Sequence, residues 1–236
     1  PMPADSDSPI RMIPADAAPL TYQVILGSHF VPKALLRNFN QMSPEQVAEY
    51  RDFTYMLVKY AKRMGVPVDY WEVYNEPGVD QLPQYFAMWD VAYEAIRSAD
   101  PDAKMVGPGC GGTLMDVIVP FLAHCKEQGQ RMEVLAVHEM SQNYDGIPPG
   151  PLTAPDKMHW NVERLRKLVD SEYPMLGVEE IHLDEWGESP RIVDAGTQIA
   201  FFYYMDLAGV HRAAPVSYGR FLDGLLIGKP IGVYGD

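Results

Sequence analysis

The segment Trp71-Glu72-Val73-Tyr74-Asn75-Glu76-Pro77 decides how this chain is read. An apolar, aromatic-rich run that starts at Val68 stops abruptly at Asn-Glu-Pro. That is the pattern of a strand whose last residue delivers a carboxylate to the end of a sheet. A helical pattern over about Pro83 to Ser98 follows, so the segment belongs to one βα unit.

The same alternation extends in both directions. Strands are expected at Tyr22 to Gly27, Val68 to Tyr74, Ala103 to Val106, Val134 to Val137, Glu180 to Asp184 and around Ala214 to Tyr218. Helices are expected between them, ending near Met64, Ser98, Gln128, Ser171 and Ala208. The first of these opens at Ser43-Pro44-Glu45-Gln46, a serine N-cap with proline at the first helical position. Strands alternating with helices in this way make a parallel sheet. The fold class is therefore α/β, a (β/α)8 TIM-type barrel. A closed barrel has eight strands in about 250 residues, and a βα unit takes roughly 30. The 20 residues before Thr21 cannot hold the missing two units. The barrel is expected to be incomplete in this chain, with six or seven strands and its first two βα units not recognisable. Residues 1–20 read as an irregular N-terminal segment and 21–236 as the barrel catalytic domain.

Composition narrows the partners. Of 236 residues, 47% are hydrophobic and 22% charged, ordinary for a globular chain. The 32 acidic against 19 basic residues give a formal charge of -13, which argues against nucleic acid as a partner. No apolar run approaches the roughly 20 residues needed to span a bilayer. Cys110 and Cys125 are the only cysteines, too few for a disulfide framework and without zinc-site spacing, and two free thiols are expected. Pro1 to Ser8 has no charged or apolar signal region and no initiator Met, so a processed or trimmed start is expected. Compartment and oligomeric state are not legible.

A second strand also ends in a carboxylate beside an aromatic: Ile181-His182-Leu183-Asp184-Glu185-Trp186-Gly187. Glu76 and Glu185 would lie three βα units apart, meeting across the mouth only if the strands curl towards a ring. Two carboxyl groups about 5 Å apart are what a retaining glycosidase needs, one to attack the anomeric carbon and one to protonate the leaving oxygen. Other readings stay open. Glu72, Glu76, His138, Asp184 and Glu185 could gather as a metal site, although no local metal motif is present. The chain could also be a non-catalytic or truncated carbohydrate-binding barrel. Glu188 is a rival nucleophile three residues past the strand. Glu72 shares strand parity with Glu76, and a structural ion pair is expected for it. His138 at a strand end is a candidate substrate or nucleophile contact, while His124 and His211 read as surface or packing residues. Trp186 and Tyr218 are candidates to stack on a sugar face, and Trp71 and Trp89 fit apolar stripes and read as core.

These segments resemble the clan A glycoside hydrolases, in which the acid/base follows an Asn at the end of strand four and the nucleophile ends strand seven. More narrowly, His29-Phe30-Val31-Pro32-Lys33-Ala34-Leu35, Met105-Val106-Gly107-Pro108-Gly109 and Val137-His138 are similar, in order, to stretches after strand three and in strands five and six of glycoside hydrolase family 39, the β-xylosidase and α-L-iduronidase family. The resemblance implies that Glu76 is the general acid/base, Asn75 a donor to the sugar hydroxyl beside the reacting carbon, and Glu185 the nucleophile. His29 and His138 are expected as substrate contacts, and the resemblance implies a glycoside or oligosaccharide substrate and calls for neither cofactor nor metal. The sequence departs from the family pattern at His29, usually Gly. It departs again at Met140, where an aromatic is expected, and at Val216-Ser217-Tyr218, where a tryptophan usually lies under the sugar.

Overall fold

In the computed structural model, which describes residues 22–27, 39–140, 154–187 and 195–215, six strands form one parallel sheet in chain order. They are β1 (Tyr22–Ile25), β2 (Val68–Glu72), β3 (Lys104–Cys110), β4 (Val134–Met140), β5 (Glu180–Gly187) and β6 (Arg212–Pro215). Five α-helices connect them: α1 (Pro44–Met64), α2 (Leu82–Ala99), α3 (Met115–Glu127), α4 (Ala154–Glu172) and α5 (Ala195–Ala208). The sheet curls into part of a barrel with the helices outside it. Among the described residues β1 and β6 each pair on one side only. Among the described residues the expected six strands form a partial barrel; the expectation for residues 1–20 lies outside them.

Local sequence explains the helices. Ser43 caps α1 by accepting from the Gln46 backbone N–H while the Gln46 side chain accepts from the Ser43 N–H, a reciprocal capping box, and Pro44 fills the first turn. In α2, Tyr85, Met88, Trp89, Ala92 and Ile96 are fully buried at the spacing of one helical face. That face meets α3 through Phe121, whose ring lies 4.7 Å from Trp89 edge-on and 5.4 Å from Tyr85. Gly107 on β3 leaves the room this cluster needs, since a Cβ there would come within 2.9 Å of both Trp89 and Phe121. Trp71 and Trp89 are core, as their stripes indicate, and Cys110 and Cys125 are free and buried. No described helix is long and apolar enough to cross a membrane.

Inside the curl, Tyr70, Val106, Val134 and Ala136 form a small second cluster. A polar layer closes that end: Glu180 takes hydrogen bonds from Tyr70 (2.9 Å) and His182 (2.8 Å) and pairs with Lys104. The guanidinium of Arg212 lies 4.4 Å from the Tyr70 ring centroid.

Strand ends depart from the sequence reading in both directions: β1 and β2 stop at Ile25 and Glu72, two residues before Gly27 and Tyr74, whereas three others run on. β3, β4 and β5 run on to Cys110, Met140 and Gly187, three or more residues past Val106, Val137 and Asp184. Gly-Pro-Gly, His-Glu and Glu-Trp look like the start of a loop, but parallel neighbours continue to pair with them across irregular steps. β6 likewise begins at Arg212 rather than Ala214.

The α2–α3 cluster is expected to dominate stability. Phe121→Ala should lower unfolding free energy by ~3–5 kcal/mol, because a fully buried ring leaves a cavity. Phe53→Ala, at a residue 60% exposed on α1, should stay within about 0.5 kcal/mol. Denaturant unfolding of the two variants measures both, and equal losses would show that the core lies elsewhere.

Candidate active site

Parity along a strand decides which side chains enter the barrel, and irregular pairing at the C-terminal strand ends resets it. In β5 the alternation sends Ile181 and Leu183 to the helices. It sends Glu180 and His182 to the inner polar layer, and Asp184 faces inward towards His138. The register then steps, with Val137 opposite Leu183 and His138 opposite Glu185, so Asp184 is the extra residue. One inserted residue turns Glu185 inward as well, and Trp186 outward to α5. Two adjacent carboxylates thus face the same side, which regular pleating forbids.

A second irregularity shapes the opposite wall. The β3–β4 register steps between Pro108 and Cys110, leaving Gly109 at φ +59°. Its carbonyl accepts the Glu76 N–H at 2.8 Å, while the Asn75 N–H donates to the Gly27 carbonyl at 2.9 Å. Those bonds pin the turn after β2, where Glu76 itself has φ 57°, the left-handed conformation that costs a non-glycine residue about 1–2 kcal/mol. A Cβ on Gly109 would stand 2.0 Å from the Glu72 carboxyl, so only glycine fits between this turn and the group beneath it.

The two walls converge on His138. Its Nδ1 is 2.9 Å from Glu76 Oε1 and 3.6 Å from Glu185 Oε2, and its Nε2 is 3.6 Å from Asp184 Oδ1. One carboxylate oxygen each of Glu76 and Glu185, and one His138 nitrogen, lie within 4.8 Å of one another. His138 is buried, whereas the two glutamates are about one-third exposed and open to a ligand. Burial works against an imidazolium, but the Glu76 hydrogen bond and the charges of Asp184, Glu185 and Glu76 outweigh it and raise the His138 pKa. Below, burial first and the Asp184 charge second push the Glu72 carboxyl well up, and burial pushes Asp184 to about 6 against the pull of His138.

The structure therefore brings Glu76, His138 and Glu185 together and sets Asn75, buried, beside them in the same turn. Trp186 is placed differently from a sugar platform: it is 2% exposed, with its ring 5.2 Å from Phe201 and 5.7 Å from Phe202, packing α5 onto β5. His29, Tyr218 and Glu188 lie outside the described residues. The ion pair expected for Glu72 is corrected. Among the described residues no cation meets it; its carboxyl accepts from Gln23 Nε2 at 2.7 Å and faces Asp184. From sequence, Asp184 has a role only in the metal alternative; regular strand alternation does not place both 184 and 185 inward. The three atoms around His138 are close enough to touch one cation. An Nδ1 that donates its proton to Glu76, however, has no lone pair left for a metal.

Comparison with known proteins follows this geometry. The family model described as glycosyl hydrolases family 39 matches residues 32–205. A β-xylosidase of Geobacillus stearothermophilus is 29% identical over 128 residues, 46% of this chain and 25% of that protein. Among solved structures, a monomeric β-xylosidase of Caulobacter crescentus superposes with a TM-score of 0.58 at 23% identity, over 73% of this chain and 39% of its own. A glucosidase of Croceicoccus marinus does so with a TM-score of 0.58 at 19% identity, over 80% and 42%. The structural likenesses bear on the fold, and the chain spans less than half the length of each of these relatives.

Directly behind His138, on the helix side of β4, the buried Glu139 carboxyl accepts from Asn161 Nδ2 at 3.0 Å and from the Thr113 hydroxyl. Burial pushes its pKa up to about 8, so the folded chain holds a proton that the unfolded chain releases above the ordinary 4.5. This stabilisation is full below 4.5 and is lost as pH rises through about 8. Unfolding free energy should fall over that interval, and Glu139→Gln should flatten the fall. An unchanged slope in the variant would assign it to another group.

Proposed function

The chain belongs to glycosyl hydrolase family 39, and from that premise we propose that it hydrolyses a glycosidic bond with retention of configuration, using Glu185 as nucleophile and Glu76 as acid/base. The observation that carries the reading is the approach of the two carboxylates within 4.8 Å around His138, at the strand ends where barrel active sites form. Retaining enzymes hold their carboxyl groups about 5–5.5 Å apart, and a gap of roughly 6.5–9.5 Å would be needed to admit the water of an inverting mechanism.

Glu185 attacks the anomeric carbon as the Glu76 proton passes to the glycosidic oxygen and the C–O bond breaks. Water then attacks the glycosyl ester, Glu76 takes its proton, and Glu185 departs as carboxylate. His138 fits both steps. Its Nδ1–H to Glu76 Oε1 leaves Oε2 to carry the transferred proton, and the imidazolium offsets the Glu76 charge once that proton has gone. Asn75, in the same turn, is the proposed donor to the neighbouring sugar hydroxyl, and a β-xyloside is the proposed substrate class, in keeping with the Geobacillus relative. His29, Trp186 and Tyr218 stand as proposed substrate contacts, although the burial of Trp186 favours packing for that residue. No metal or cofactor takes part in this scheme.

A panel of aryl glycosides that includes β-xylosides tests the activity. Glu185→Ala should lose ~10³-fold or more, and azide or formate should restore turnover with an inverted product. Glu76→Ala should lose about 10²–10⁴-fold on poor leaving groups and far less on activated aryl glycosides. If both alanine variants keep near-normal rates on a confirmed substrate, the assignment is wrong.

A further inference from the structure

The mechanism above leaves two buried acids without a task. Glu72 is fully buried, and the Asp184 side chain is 8% exposed. Gln23 satisfies one Glu72 oxygen. The other, and both oxygens of Asp184, are buried and receive no side-chain hydrogen bond from an N–H or O–H donor among the described residues. Two ionised carboxylates cannot face each other under these conditions, since each carries a large desolvation cost and they repel. One proton between them removes both problems, turning the unsatisfied oxygens into a carboxyl–carboxylate hydrogen bond. Geometry says which acid keeps it. Among the described residues Glu72 meets the neutral Gln23 amide and the backbone of Gly109 but no cation, whereas Asp184 lies 3.6 Å from His138 Nε2.

We propose that Glu72 and Asp184 share a single proton held on Glu72, and that the Asp184 carboxylate is a positioning residue that fixes His138 as an imidazolium between Glu76 and Glu185. The inference rests on the catalytic reading of those two glutamates. Nδ1 then has Glu76 as its acceptor with Glu185 beyond it, and Nε2 faces the Asp184 charge at 3.6 Å, an ion-pair contact longer than a hydrogen bond. The charges also balance. With Glu72 and Glu76 protonated, Asp184 and Glu185 ionised and His138 charged, the site carries a net charge of about -1. After glycosylation of Glu185 and loss of the Glu76 proton the sum is unchanged, so the buried interior sees no net charge change between the two steps. The other groups that bear on the pair from packed elements, among the described residues, are Tyr85 on α2, Cys110 on β3 and Glu185 on β5. Tyr85 and Cys110 are pushed up by burial and stay neutral, so His138 is the single described cation within this set.

The test needs no substrate, so it fails or succeeds independently of the hydrolytic reading. The ring of His138 is followed by NMR against pH, its resonance assigned by loss in His138→Gln. Asp184→Asn should lower the midpoint by about one unit or more, because the charge facing Nε2 is gone. Glu72→Gln should leave it in place, since glutamine reproduces both the acceptor for Gln23 and a donor to Asp184. Infrared spectra at neutral pH supply a second reading: Glu72→Gln should lose one protonated-carboxyl band while the band of Glu139 persists. That measurement stands even if Asp184→Asn does not fold. Equal shifts in both variants, no shift in Asp184→Asn, or no band lost in Glu72→Gln would each overturn the proposal.

Discussion

His138 sits among three of the four acidic groups of the site, and its two ring nitrogens let them occupy so small a space. One nitrogen meets Glu76 and Glu185, the other Asp184, and Glu72 lies behind Asp184. Remove the imidazole and the Asp184, Glu76 and Glu185 carboxyl groups would face one another with no described cation between them. The arrangement works because burial is graded. Glu72 and Asp184 are enclosed, where the favourable answer is to share a proton, while Glu76 and Glu185 reach outward to where a ligand can meet them.

The opposite end of the sheet handles its acid differently. Glu180 is neutralised by Lys104 and hydrogen-bonded by Tyr70 and His182. Those partners outweigh the effect of burial and hold its carboxyl down at about 2. A fixed ion pair suits a layer that only holds strands together. Around His138 the proposed proton shared by Glu72 and Asp184 does for two buried acids what Lys104 does for Glu180.

Backbone irregularity links the fold to the site. The step at Asp184 turns Glu185 inward, and the step at Gly109 supplies the carbonyl that holds Glu76 in a left-handed turn. The cost of that turn is small beside the burial of Trp89, Phe121 and Tyr85 between α2, α3 and β3, which makes the wall rigid enough to keep it.

The sequence alone determined the order of the βα units, the cap at Ser43, the core roles of Trp71 and Trp89, and that Glu76 and Glu185 lie at or just beyond the C-terminal ends of two parallel strands. These follow from local chemistry: apolar periodicity, capping residues, and where an apolar run stops. Only the tertiary structure decided how far the strands extend, that Trp186 packs on α5, that Asp184 faces inward beside Glu185, and that Glu72 meets another acid rather than a cation. Each of those depends on pairing between strands that are distant in the chain. A one-residue step in register reverses every side chain beyond it, and nothing in the residues of β5 itself records which neighbour will impose that step.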